Sequence, residues 1–463
     1  VLAVILALVY GQYNELSMGL DIPLIQVAGN SFYLLDILLF VCFGVWIFVK
    51  RKLSWGQSPQ RWLLLFLLWT VVVGFGRNLA LDIPYETWIR ELRTIAYFVF
   101  ILILPEAIDS RKRAVALARL LLISSIAVAI MALVARLDYS AMPTRPNLVV
   151  YTEAGTPRIF IVYGVERAMY AALFAMGILL VYRSRFLWLA VALNVVTLIL
   201  GLTRGPYVGV FVGAVMTFAL PKGWRGLPRL LAFLVAFAGI VYIGALFLGT
   251  ITGGEQVHAF STRLTDLIRD LIEGSGTFGG RITEAGIVTE FLLDNPDALL
   301  LGQGLGGFFA DPFNLLTAEV RYVGDRRYSY VHNGYLWTIL RSGLIGAAFF
   351  YTFWLALVLR ALRWARRTTD PELKGILVGI IAVTIGTLIV SLSGQPLGEG
   401  PRMSVLAIYA AVGLATIRLV RQANQSIDAR SAPADRTLTT QNGWRSTASA
   451  ATKTGLPVDR QPG

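Results

Sequence analysis

The chain holds one cysteine and two histidines in 463 residues, and only 15% of its residues carry charge. A disulfide framework is excluded, because Cys42 has no second cysteine to meet. So little charge beside 56% hydrophobic residues excludes an ordinary soluble domain of this length. Lysine is scarce too: only six of the 41 basic residues are Lys50, Lys52, Lys112, Lys222, Lys374 and Lys453. No D-x-D motif occurs, so a nucleotide-sugar site built around a metal is not expected. No internal repeat is visible either, which argues against a transporter made of duplicated halves.

What the chain does have is long apolar runs, each able to cross roughly 30 Å of hydrocarbon as a helix. About twelve occur, near 1–16, 31–50, 61–79, 88–107, 113–135, 164–182, 186–202, 204–220, 228–250, 334–360, 373–393 and 401–421. The expected fold is therefore all-α: a polytopic integral membrane protein of about 12 transmembrane helices. Cys42 falls inside the second run and serves as a small apolar residue. Neither a basic leader nor an A-x-A site precedes the first polar stretch, so a cleaved signal peptide is not expected.

Charge sets an orientation. Basic clusters at Lys50-Arg51-Lys52, Arg111-Lys112-Arg113, Arg183/Arg185, Lys222/Arg225/Arg229 and Arg360/Arg363/Arg366/Arg367/Lys374 fall in every second loop. Positive loops stay cytoplasmic, so these loops and both termini are expected inside. The expected organisation is transmembrane helices 1–9 over residues 1–250, a large external loop at 251–333, helices 10–12 over 334–421, and a disordered cytoplasmic tail at 422–463. The tail is rich in Ser, Thr, Ala, Gln and Arg without apolar periodicity.

The external loop has internal pattern. Phe260, Leu264, Leu267, Ile268, Leu271 and Ile272 recur at helical spacing and predict an amphipathic helix on the membrane or capping the spans. A second helix is predicted from Gly280 to Leu293, stopping at Asp294-Asn295-Pro296. Gly302-Gln303-Gly304-Leu305-Gly306-Gly307 matches G-x-G-x-x-G, but no strand precedes it and no βαβ unit surrounds it, so no dinucleotide is expected there. His258 precedes the amphipathic helix and reads as a cap or surface residue.

His332 is the first candidate for chemistry. It closes the loop in Tyr330-Val331-His332-Asn333-Gly334-Tyr335-Leu336, where an aqueous segment re-enters the bilayer. Histidine as a residue type can take and return a proton near neutrality. The competing reading makes it a cap of span 10 together with Asn333. The outer side carries arginine and no lysine, and guanidinium suits a bidentate grip on phosphate. Arg204 sits in a turn of almost no length, Leu202-Thr203-Arg204-Gly205-Pro206, where snorkelling to lipid phosphate is the alternative. Arg281 is expected to open the second loop helix, with an ion pair to Glu284 as its alternative. Arg90 and Arg93 share a helical face at the outer mouth of span 4, with Glu86 one turn before Arg90 as a structural partner. Arg167 lies toward the same outer face.

Nucleotide sugars and ATP are cytoplasmic, so outward chemistry calls for an activated, membrane-tethered donor. A sugar on a polyprenyl pyrophosphate fits: arginine neutralises the leaving group and histidine deprotonates an acceptor hydroxyl.

These residues resemble the O-antigen ligase and O-antigen polymerase superfamily of bacterial envelope glycan enzymes. The resemblance rests on Leu202-Thr203-Arg204-Gly205, on Gly280-Arg281 heading a helix that ends at Asn295-Pro296 before Leu301-Gly302-Gln303-Gly304, and on His332-Asn333 followed by Leu336 and Gly343-Leu344-Ile345-Gly346. It covers about 160–360. It implies that His332 activates the acceptor hydroxyl, and that Arg204 and Arg281 bind the pyrophosphate of an undecaprenyl-linked glycan, with no metal and no cofactor. The region around Glu166-Arg167 departs from the Gly/Pro-Asn pattern of many ligases. The expected function is transfer of that glycan onto a second glycan or a lipid A core, at the external face of the bacterial inner membrane. The alternative is a flippase for a polysaccharide lipid, which calls for charges near the bilayer midplane and broken helices.

Overall fold

The computed structural model describes residues 25–27, 30–32, 58–83, 85–137, 149–151, 157–159, 164–201, 204–222, 276–310, 327–328, 331–394 and 400–431, with single helical positions at 41, 44 and between 228 and 269. The spans expected at 1–16, 31–50 and 228–250, the helix expected at 260–272, Cys42 and His258 lie wholly or mostly outside those residues. In chain order the structure places α1 (Ser58–Ala80), α2 (Tyr85–Ala96), α3 (Val99–Ala107), α4 (Arg111–Leu137), α5 (Gly164–Leu179) and α6 (Arg185–Gly201). They are followed by α7 (Arg204–Lys222), α8 (Gly276–Asp294), α9 (Pro296–Leu301), α10 (Gly334–Arg367), α11 (Pro371–Val390) and α12 (Gly400–Ser431). Short antiparallel ladders join β1 (Ile25–Val27) to β2 (Asn30–Phe32), β3 (Val149–Tyr151) to β4 (Pro157–Ile159), and β5 (Phe309–Ala310) to β6 (Arg327–Tyr328).

Among the described residues five helices are long and apolar enough to cross a membrane: α1, α4, α10, α11 and α12. The apolar helices α6 and α7 are shorter. The expected span at 88–107 is corrected: Tyr97 and Phe98 break it into α2 and α3. The two halves differ in character, since α2 (YETWIRELRTIA) is amphipathic and α3 (VFILILPEA) is apolar throughout. The first ten residues assigned to a disordered tail are also corrected, because α12 runs on through Ser431.

Helix α11 lies at the centre of the packing. Its residues Ile376, Leu377, Ile380 and Ile381 are buried, and α5, α7 and α10 pack against it. Without a hydrophobic drive inside lipid, close backbone approach supplies the contact energy. Gly177 on α5 meets Gly379, and Gly209 on α7 meets Gly386, with no room for a side chain at either crossing. The Asn194 side-chain amide of α6 donates to Ser125 Oγ of α4 at 3.1 Å, a polar tie between two apolar helices. The start of α11 is written in the sequence: Asp370 accepts from the Glu372 and Leu373 amides, and Pro371 occupies the first turn.

A kink in α10 shapes the region above it. Gly343 has φ 65° inside the helix, a conformation that disfavours any side chain. Around it the carbonyls of Leu340, Arg341 and Ser342 accept from outside the helix: from Gln303 N at 2.7 Å, Gly304 N at 3.1 Å and Trp69 Nε1 at 2.8 Å. The glycine-rich turn thus docks on the kink, and Arg77 clasps it from α1 through Gly302 O at 3.0 Å and Asp297 at 2.8 Å. That hydrogen bond from Arg77 holds the Asp297 carboxyl below its ordinary range.

Candidate active site

Asn333 is the N-cap of α10, its Oδ1 accepting from Tyr335 N at 2.9 Å and Leu336 N at 3.1 Å. The cap bonds are those of Asn333, so of the alternative that joined His332 to Asn333 in this role the Asn333 part holds. Val331, on the other side, is fully buried in a small core with Ile287, Val288, Phe309, Trp337 and Leu340. His332 is thus pinned between a cap and a core, with its own side chain 26% exposed.

The same core anchors α8, which presents Glu284. This carboxylate is 3% exposed, so it needs partners. His332 supplies two: its backbone N–H donates to Oε1 at 2.6 Å, and its ring Nδ1 lies 2.7 Å from Oε2. A carboxylate can only accept, so Nδ1 carries the proton in the neutral ring and Nε2 holds the lone pair. This is the orienting relationship of a carboxylate and a histidine in acid–base sites.

Two of the predicted arginines, Arg281 and Arg204, lie on helices that reach this end of the bundle. Arg281, half-buried, lies three residues before Glu284 and shares its face of α8. It does not open the helix, as expected from sequence, but stands in the second turn, because α8 begins at Gly276. Arg204 is the first residue of α7, and its neighbour Gly205 lies against Ser393 and Val390 at the end of α11. That same turn accepts from the start of α10: Gly334 N donates to Ser391 O at 2.7 Å, and the Asn333 side-chain amide donates to Leu392 O at 3.1 Å. The starts of α7 and α10 therefore share one seat.

Arg167 is 3% exposed in the first turn of α5, two residues after Val165, which packs on Gly201 at the end of α6. Its helix runs antiparallel to α11, placing Arg167 at the His332 end. Arg90 and Arg93 lie on α2, whose side chains at those positions are outside the described residues, as is that of Glu86. Helix α2 itself docks on the glycine-rich turn, where Glu91 Oε2 accepts from Gly306 N at 2.6 Å.

Sequence reasoning missed three groups here. Glu284 was weighed only as a partner for Arg281, and its buried place facing His332 depends on a contact 48 residues away in the chain. Glu91 and Arg341 were passed over. Arg341 had a signal, a charge within an apolar span, which is costly unless it serves a purpose.

The fold and site define a multi-span helical membrane protein with a carboxylate-oriented histidine at one end of its bundle. Residues 187–351, from α6 through the middle of α10, match a family model described as O-antigen ligase. That match supports the O-antigen ligase and polymerase superfamily for this chain. No curated protein matches the sequence.

Proposed function

We propose that this chain is a membrane glycosyltransferase that moves a glycan from a polyprenyl pyrophosphate carrier onto an acceptor hydroxyl in surface-polysaccharide assembly. The observation that carries the reading is the pairing of His332 Nδ1 with buried Glu284, inside the segment that matches the O-antigen ligase family. In this reading His332 Nε2 takes the acceptor proton as the acceptor oxygen bonds to the anomeric carbon. The bond from that carbon to the pyrophosphate breaks, and polyprenyl pyrophosphate leaves as an anion. Arg281 and Arg204 hold the departing pyrophosphate, with Arg90, Arg93 and Arg167 adding positive potential around it. The reaction as written uses no cofactor and no metal. It runs at the external face of the bacterial inner membrane, with 251–333 as an external loop, and the acceptor is a second lipid-linked glycan or a lipid A core.

The test uses purified protein in lipid nanodiscs with undecaprenyl-pyrophosphate-linked glycan and acceptor, following both transfer and release of undecaprenyl pyrophosphate. His332→Ala is expected to lose transfer by about 10²–10⁴-fold while still binding the donor. Transfer within a few-fold of the parent removes His332 as the base and the proposal with it.

A further inference from the structure

A second site lies at the opposite end of α11. Helix α11 has 20 residues, which sets its ends about 30 Å apart. The turn after its last residue holds Asn333 and Gly334, next to His332, while a groove of about 340 Å³ opens beside its first turn. This volume falls in the range of small-ligand pockets, roughly 300–1,000 Å³. The groove runs between α4, the end of α5 and the start of α6. Its walls are apolar, formed by Val115, Ala118, Leu122, Ile178, Leu187 and Ile376.

Its rim is different. Arg119, Glu372, Tyr182 and Ser184 ring the mouth, and exposed Ile123 forms the lip toward the outer surface of α4. The carboxylates nearby are already engaged: Glu372 by Arg111 at 2.7 Å and by Arg119 at 3.1 Å, and Asp370 by Arg111 at 2.5 Å. Arg183 and Arg185 flank Ser184, are exposed, and pair with no carboxylate among the described residues. Across segments 109–119, 182–187 and 370–376, seven cations stand against three carboxylates. Tyr182 and Trp188, both exposed, stand on either side of the start of α6, and such aromatic residues are enriched at membrane–water interfaces.

An apolar slot open to the side of a membrane helix, with Arg119 and hydroxyl groups at its rim and the exposed Arg183 and Arg185 beside it, is complementary to an amphiphile with a negative head. We propose that this groove binds an anionic membrane phospholipid, with an acyl chain between α4 and α6 and the phosphate at Arg183, Arg185 and Arg119. The lipid fills a gap between four helices and so stabilises their junction. The separation from His332 makes the site distinct from the proposed donor site, and the inference does not depend on the proposed chemistry.

The experiment uses the purified full chain in delipidated detergent micelles, titrated with dioleoyl phosphatidylglycerol or dioleoyl phosphatidylcholine. Retained lipid is read by native mass spectrometry, and thermal stability by unfolding of the same samples. The expected result is about tenfold stronger retention of the anionic lipid, with a higher Tm than the zwitterionic lipid gives. Combined Arg119→Gln, Arg183→Gln and Arg185→Gln substitutions should erase that preference, and Ala118→Trp, which fills the slot, should lose the lipid while the rim charges remain. The triple variant changes only exposed side chains, so it tests the site even if Ala118→Trp does not fold. Equal retention of both lipids, or a preference that survives the triple substitution, overturns the proposal. So does inorganic phosphate alone raising Tm as far as phosphatidylglycerol, which would mark an anion site without a lipid chain.

Discussion

Arg341 on α10 and Glu91 on α2, 250 residues apart in the chain, meet with Nη2 and Oε1 2.6 Å apart. The arginine side chain is 1% exposed and the carboxylate 19%. Arg341 Nη1 also donates to Gly307 O, and the second Glu91 oxygen takes Gly306 N. Two charges therefore clamp the glycine-rich turn between the kinked helix and the helix that carries Arg90 and Arg93. Removing one partner of a buried pair leaves the other uncompensated, at about 3–5 kcal/mol. Arg341→Met and Glu91→Gln should each lower Tm markedly, while the double variant should lie well above the sum of the two losses. Additive losses in unfolding measurements would mean that the two side chains do not stabilise each other.

Gly343 is expected to be equally intolerant, for a backbone reason. Its φ of 65° disfavours L side chains, and a Cβ there would run into the Leu300 carbonyl. Gly343→Ala should straighten or unseat α10, withdraw the carbonyls that hold Gln303 and Gly304, and reduce the amount of folded protein recovered from membranes. Wild-type yield and Tm for this variant would show that the kink is not needed.

The start of α8 was misplaced by four residues, but some boundaries were legible because they depend on local chemistry. Asn333 before Gly334, Asp370 before Pro371, and the stop at Asp294-Asn295-Pro296 each announce a boundary within a few residues. The break at Tyr97–Phe98 was hidden, because apolar residues continue across it and hydropathy alone does not register a tightened turn. His332 and Arg281 were readable as chemistry-bearing residues at a loop end. Glu284 was not readable as the histidine's partner, since the pairing depends on how α8 packs against the start of α10. Arg341 and Glu91 have the same character: nothing local in either helix names the other.

Acid should weaken the α10–α11 connection. Burial pushes the Asp370 carboxyl up, but the hydrogen bond and charge of Arg111 and the amides of Leu373 and Glu372 bring it below its ordinary 3.8. The folded state therefore favours the charged carboxylate. Its contribution is complete above the unfolded value and fades as pH falls through 3.8 and below. Asp370→Asn keeps a cap but not the charge, so its Tm should fall below the parent's at pH 6, and the gap should narrow as pH falls below 3.8. A constant gap across that range would place the loss in the cap rather than in ionisation.

For the arginines the informative change is Arg→Lys. An ammonium keeps the charge but not the planar fork that grips two phosphate oxygens. Arg204→Lys and Arg281→Lys should both insert and fold, bind the pyrophosphate donor more weakly, and turn over slowly. Arg281→Lys should be the milder of the two if the 251–333 loop adjusts around it. Near-parental binding and turnover with lysine at 204 would assign Arg204 to lipid headgroups instead.

Glu284 offers the sharpest discrimination, because glutamine separates its two contacts with His332. An amide oxygen can still accept the His332 backbone N–H, so the loop keeps its anchor. The amide nitrogen then faces Nδ1, and it is a donor. Nδ1 must accept, the proton moves to Nε2, and the ring loses its lone pair at the position proposed to face the acceptor hydroxyl. A purely structural Glu284 would tolerate this exchange, and a base-orienting Glu284 would not. Glycan transfer by Glu284→Gln is therefore expected to fall by about 10²–10⁴-fold, with folding and donor binding close to the parent. Glu284→Ala should lose stability as well as transfer, since it removes both contacts from a buried position. Transfer by the glutamine variant within a few-fold of the parent would show that the tautomer of His332 does not matter, and that this histidine is not the base.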